Sequence, residues 1–287
     1  MRSLGFFRKC LCFFVLASVF FVGCNQGVKN GGNNESGLFP DGTIKVGYIS
    51  YPPGFIVDPN TDEKSGIFND VLAEIAKRNG LTINYKEEVS WATMIETLNL
   101  GRVDLIANPV WATPERRANA DFSLPIYYSP IGIYVRADDN RFDTDIRKLN
   151  NPSVRIAALD GELNYYIGKS DFPLAELNPL PNNVDAVQLY IEILAGKKDV
   201  VFSEPMFAYL FMQNNPGVLK NIAEKSPIRN FPDSYMYKKG NSKLGAFLDT
   251  EIEKLVKDGT VDKIIGQYVP YKGAVISPTD SLAIEKQ

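Results

Sequence analysis

Acids, arginines and large aromatics are the only side chains in this 287-residue chain with spacing that suggests chemistry, because histidine is absent altogether. That absence removes Ser-His-Asp and Cys-His nucleophile sets and leaves no Cys/His metal cluster. The densest segment is Asn108-Pro109-Val110-Trp111-Ala112-Thr113-Pro114-Glu115-Arg116-Arg117. Thr113 followed by Pro114 reads as an N-cap with proline at the first helical position. Arg116 then falls in the first turn, where a guanidinium fork beside free backbone N–H groups can grip a carboxylate. Arg117 reads as a solvated surface arginine.

Two acids sit at other expected helix starts. Glu204 precedes Pro205, and Glu162 follows Asp160-Gly161. A carboxylate at such a place ordinarily stabilises its own helix terminus. Tyr51, in the rigid loop Ser50-Tyr51-Pro52-Pro53-Gly54, and Trp91, opening a helix, offer flat faces suited to an apolar or cationic group. Both types also serve routinely as core.

The elements that must position these residues alternate strand and amphipathic helix, the pattern of parallel α/β sheets. Strands are expected at 44–49, 81–85, 103–107, 154–159 and 199–202. Helices are expected near 68–76, 91–100, 162–168 and 185–194, with two more stripes at 244–255 and 261–268. The N-terminus reads differently. Arg2, Arg8 and Lys9 precede an apolar run from Leu11 to Gly23, too short to span a bilayer and typical of a secretory signal over residues 1–23. Cys10 and Cys12 lie within it, so only Cys24 would remain in the exported chain. An Asn/Gly/Ser-rich stretch over 24–43 reads as a flexible tether. The net charge of −3 is too mild to imply a nucleic-acid partner.

Taken in order, several segments resemble one family. Phe21-Val22-Gly23-Cys24 resembles the lipobox of bacterial lipoproteins, with phenylalanine in place of the usual leucine. Thr113 to Arg116, with Asp121-Phe122-Ser123 and Pro125, resembles the T-x-E-R…D-F-S…P signature of type II periplasmic binding proteins for polar amino acids. Gly66-Ile67-Phe68-Asn69-Asp70-Val71, the segment from Trp91 through Gly101-Arg102-Val103-Asp104, and Gly196 through Asp199 to Glu204 resemble three further motifs of that family. The resemblance covers 44–269.

It implies a two-lobed α/β fold, each lobe a mostly parallel sheet flanked by helices. Lobe one would comprise 44–131 and 235–273, and lobe two 132–234. The crossings would fall near Tyr128–Ile133 and Phe231–Tyr235, with a loosely held tail over 274–287. It implies that Arg116 holds a ligand carboxylate and Glu204 its ammonium, with Tyr51, Trp91, Trp111 and Pro109 as walls. Two departures stand out. Trp111 occupies the place of a serine or threonine that usually joins the arginine, and Glu162 follows Asp160-Gly161 where the family usually has Gly-Ser or Gly-Thr. If Glu162 faces the cleft, a ligand with added positive charge, such as a basic amino acid or methylated amine, is expected.

The implied function is capture of an amino-acid-like solute for the permease subunits of an ABC importer. The protein would be an extracytoplasmic monomer anchored to the membrane through lipidated Cys24, with no cofactor, no metal and no catalysis. A dehydratase-like enzyme on the same fold and a sensor for a membrane receptor remain the alternatives.

Overall fold

The computed structural model describes residues 37–280. The expected signal segment and Cys24 lie outside them. Strand β1 (Thr43–Tyr48) leads through a short hairpin, β2 (Ile56–Val57) and β3 (Lys64–Ser65), into helix α1 (Ile67–Arg78). Then follow β4 (Thr82–Glu88), α2 (Met94–Asn99), β5 (Leu105–Trp111), α3 (Pro114–Asn119) and β6 (Ala120–Phe122). The long strand β7 (Tyr127–Arg136) precedes β8 (Arg155–Ala157), α4 (Leu163–Asp171), β9 (Glu176–Leu177), α5 (Val187–Leu194), β10 (Val200–Ser203), α6 (Pro205–Asn214) and β11 (Leu219–Asn221). The chain closes with β12 (Arg229–Lys238), α7 (Ser242–Lys257) and α8 (Thr260–Tyr268).

The strands line up in the order β4-β1-β5-β12-β7-β10-β8-β9. The two ends of this order are parallel: β1 with β4 and β5, and β8 with β9 and β10. The middle is antiparallel. Residues 127–131 of β7 pair with 229–233 of β12, while 132–135 of β7 pair with β10 and 233–237 of β12 pair with β5. Thus both long strands leave one sheet and enter the other. This is the two-lobed arrangement in which each parallel sheet carries its own helices.

Separate apolar cores hold the two ends. Against β1 and β5, α1 buries Ile67, Phe68, Val71, Leu72 and Ile75 with no exposed surface. Each such side chain contributes about 1.5–3 kcal/mol from area removed from water. Ile131, Ile133, Ile156, Val200 and Phe202 belong to a core at the other end. The aspartates of the two Gly-x-x-Asp motifs pin strand starts. Asp104 accepts the Lys45 backbone N–H at 2.7 Å, and Asp199 accepts that of Arg155 at 2.9 Å.

Three expectations change. β5 continues to Trp111, so Pro109 and Trp111 are strand residues; Pro109 sits where the pairing with β12 shifts register, a place that tolerates a missing N–H. The tether does not reach residue 43 as free chain, because Leu38 and Phe39 pack on the core and Phe39 meets Phe247 edge-on at 5.7 Å. The start of the expected tail is held as well. Ala274, Val275 and Ile276 are buried, and Ile276 exchanges backbone hydrogen bonds of 2.8 Å with Tyr128. Apolar side chains with a strand edge in reach bind there rather than stay in water.

Candidate functional site

A cleft of about 1020 Å³ opens where the two sheets meet. Tyr51, Trp91, Pro109, Trp111, Arg116, Glu162 and Glu204 all line it, although they come from six segments of the chain.

Tyr51 is placed by helix-terminus chemistry. The free N–H groups of Ile67 and Phe68 at the start of α1 donate to the carbonyls of Pro53 and Gly54 at 3.0 and 2.8 Å. Asn108, fully buried in β5, copies a strand partner: its amide accepts from Ile49 N and donates to Ile49 O at 2.8 and 2.7 Å. The loop therefore lies against Pro109. A Cβ on Gly54 would sit 2.6 Å from Pro109 Cγ, so only glycine fits.

Trp91 is not on a helical stripe. It stands in a turn ahead of α2, fastened by Ser90 and Thr93, and is 39% exposed. Tyr51 meets Trp91 edge-on at 5.5 Å and the Phe207 ring of α6 at 5.8 Å. An aromatic wall thus crosses the cleft. Phe207 escaped sequence reasoning, although its place three residues after Glu204 carried the signal.

Arg116 lies in α3, capped by Thr113, whose hydroxyl accepts the Arg116 N–H at 3.3 Å. With six residues α3 contributes little dipole, so attraction for an anion rests on the guanidinium itself. Nη1 donates to the Trp111 carbonyl at 3.1 Å, and the guanidinium carbon lies 5.8 Å from the Trp91 ring. Among the described residues no carboxylate oxygen comes within 4.0 Å of it. Burial pulls its pKa down from the usual arginine value, and the charges of Glu115 and Glu162 push back. The group stays charged and half-buried, with donors to spare.

Neither acid at a helix start caps its helix. Glu162 precedes α4 and Glu204 precedes α6, and neither side chain accepts a capping hydrogen bond. Glu162 is exposed at the rim, in electrostatic reach of Arg116. Glu204 lies deeper, and burial raises its carboxyl to about 7 despite help from the Ser129 hydroxyl.

A third acid was missed. Asp233 of β12 is 1% exposed, lines the same cleft, and accepts a 2.7 Å hydrogen bond from Ser129 Oγ. A lone aspartate in the apolar run Phe231-Pro232-Asp233-Ser234-Tyr235-Met236-Tyr237 was its only signal. Burial and the neighbouring Glu204 raise its pKa, while Ser129 and the Trp111 indole N–H favour the charged form. Trp111 also stacks on Phe231, ring centroids 4.7 Å apart. Among the described residues no cluster of His, Cys, Asp and Glu could hold a metal ion.

Positive charge on one wall, carboxylates at the floor and aromatics between them can seat a small zwitterion and exclude water around it. The comparisons with known proteins agree with this architecture. The model for bacterial extracellular solute-binding proteins, family 3, matches residues 44–271. A probable histidine-binding protein of Campylobacter jejuni is 27% identical over 267 residues, spanning 91% of this chain and 98% of the relative. An ancestral cationic amino acid solute-binding protein superposes with a TM-score of 0.61 at 25% identity, over 80% of this chain and 96% of that one. The L-cystine solute receptor of Neisseria gonorrhoeae, in its unliganded open conformation, gives 0.61 at 26% identity over 79% and 92%. With matched segments spanning both sheets and the whole cleft, this chain belongs to the bacterial extracellular solute-binding proteins of family 3, on the two-lobed type II fold.

Proposed function

We propose that this protein captures an amino acid of neutral or positive side-chain charge outside the cytoplasm and presents it to the permease of an ABC importer. Arg116 takes the α-carboxylate with the N–H groups its bond to Trp111 leaves free. Glu204 takes the ammonium, and Tyr51, Trp91, Trp111 and Phe207 wall the rest, with Pro109 behind Tyr51. Residues 44–131 with 235–273, and 132–234, act as the two closing bodies, hinged on β7 and β12. A single chain suffices for the site, so the working form is a monomer. Cleavage before Cys24 and lipidation of its thiol hold it at the membrane.

One observation carries this reading: among the described residues, a half-buried arginine with no carboxylate within 4.0 Å faces a cleft whose floor holds two acids with no lysine or arginine within 4.0 Å. Buried charges of this kind are normally paired, and a zwitterion supplies both partners at once. The rim charge of Glu162 disfavours acidic ligands, and names among the relatives, histidine-binding and L-cystine receptor, are of the same class. A thermal-shift panel of the common amino acids, followed by calorimetry, tests it. Basic or neutral amino acids should raise the melting temperature and L-glutamate should not. A panel in which none acts, or in which L-glutamate binds best, sinks the reading.

A second reading, an enzyme on the same fold, draws on the Glu204 carboxyl, held near the pKa that suits a general acid. Incubation of the protein with the ligands that bind, followed by mass spectrometry, separates the two: binding alone leaves them unchanged.

A further inference from the structure

Asp233 stands opposite Trp111 of β5 and Tyr127 of β7, at the point where the long strands pass from one sheet to the other. Its Oδ2 accepts a hydrogen bond from the Ser129 hydroxyl at 2.7 Å, and the Trp111 side chain favours its charged form. Glu204 lines the same cleft, and the Ser129 hydroxyl favours its charged form as well. A hydroxyl has one proton to give. Having given it to Asp233, Ser129 leaves Glu204 without that donor, and two acids so close in one cleft favour a single proton between them.

The other titratable groups facing the two acids are phenols. Tyr51 comes from the loop after β1, Tyr127 from β7 and Tyr190 from α5. Burial first, and then the two carboxylates, hold the Tyr51 and Tyr127 phenols protonated. Among the described residues, no lysine or arginine nitrogen lies within 4.0 Å of either acid, and none figures among the charges that shift them. Two adjacent negative charges in such surroundings cannot both persist cheaply, and one proton between them relieves the repulsion.

We propose that Asp233 is a second acid of the ligand site, which with Glu204 and the Ser129 hydroxyl forms a seat that holds a proton when empty and releases it to solvent when an ammonium or guanidinium group arrives. The inference rests on the amino-acid-binding reading and narrows it. A group with two or more N–H donors satisfies both carboxylates, whereas a fully methylated ammonium has none to offer. Binding then strengthens as pH rises through neutrality, because the proton that must leave is bound less tightly.

The test has a ligand-free arm and a ligand arm, both on the full chain. Without ligand, a carboxyl whose folded pKa lies above its unfolded value binds more protons when folded, so stability falls as pH rises between the two values. The melting temperature of the wild type should therefore fall from pH 5 to pH 8, and Asp233→Asn and Glu204→Gln should flatten that fall. Ser129→Ala serves as a milder variant: loss of the shared hydroxyl should move the midpoint to higher pH. In the ligand arm, calorimetry with L-arginine, L-lysine, L-histidine and L-glutamine in phosphate and in Tris at pH 7 counts released protons. Wild type should release a measurable fraction of a proton, and Asp233→Asn should bind about ten-fold more weakly or worse and release none. A flat wild-type profile, or an Asp233→Asn protein matching wild type in both arms, overturns the proposal. Absence of heat with all four probes overturns the amino-acid reading and the exchange with it, while an Asp233-dependent pH profile would leave the shared proton standing.

Discussion

Arg116 Nη1 donates to the backbone carbonyl of Trp111 at 3.1 Å, and this bond fixes the guanidinium over the cleft without consuming its charge. Trp111 is thereby tied to both poles of the site. Its carbonyl anchors the cation, its side chain favours the charged form of Asp233, and its ring stacks on Phe231. A serine or threonine at this position could lend a hydroxyl to a carboxylate, but it could not span that distance. Tryptophan here links the strand that holds the arginine to the aromatic packing at Phe231.

Removing the rim charge by Glu162→Gln should tighten binding of neutral and acidic amino acids by roughly two- to five-fold at low ionic strength. The side chain is exposed, so its effect is modest and screened by salt. Affinities for L-glutamine at low and high salt check this, and the gain should vanish at high salt.

Gly54→Ala should displace the Tyr51 loop. The added Cβ would meet Pro109 Cγ and Cδ at 2.6 and 2.7 Å, and both belong to a rigid ring in a strand. A stability loss of about 1–3 kcal/mol is expected, measured by urea unfolding, with weaker ligand binding at the same time.

Much of this site was legible because its residues announce themselves locally. Thr113-Pro114 marks a helix start, and the structure places Arg116 one hydrogen bond from that cap. Asp233 and Phe207 were hidden because their importance is topological. A strand acid and a helical phenylalanine become neighbours of Glu204 and Tyr51 only once two sheets meet. The tail was misjudged for a related reason: Val275 and Ile276 look unremarkable until the exposed edge at Tyr128 offers them a partner.

Truncation after Gly273 should therefore cost stability rather than nothing. It removes the buried Val275 and Ile276 and their backbone pairing with Tyr128. Two such side chains contribute about 3–6 kcal/mol as an upper bound, so the urea midpoint should fall clearly.

Asp199 should matter for folding and not for ligand. It is 2% exposed and bonded to Arg155 and Arg141 at 2.9 and 2.8 Å. Burial alone would raise its pKa, but the two arginines outweigh burial and hold it down at about 2. A depressed carboxylate stabilises the fold above its unfolded pKa, and that contribution is lost as pH falls through about 2. Asp199→Ala should cost about 1–3 kcal/mol, because the Arg155 guanidinium and backbone N–H lose their partner while Arg141 keeps Asp139, and it should abolish that acid-limb dependence in a pH series of urea unfolding.

The most direct test of the central claim is calorimetry of Arg116→Ala against wild type with the tightest-binding amino acid of the panel, with circular dichroism and melting temperature recorded alongside. Loss of a desolvated charge partner of the ligand should weaken binding by about 100-fold or more, with the fold and its melting temperature preserved. A variant that binds within about three-fold of wild type would show that the carboxylate is held elsewhere, and the account of this cleft would be wrong.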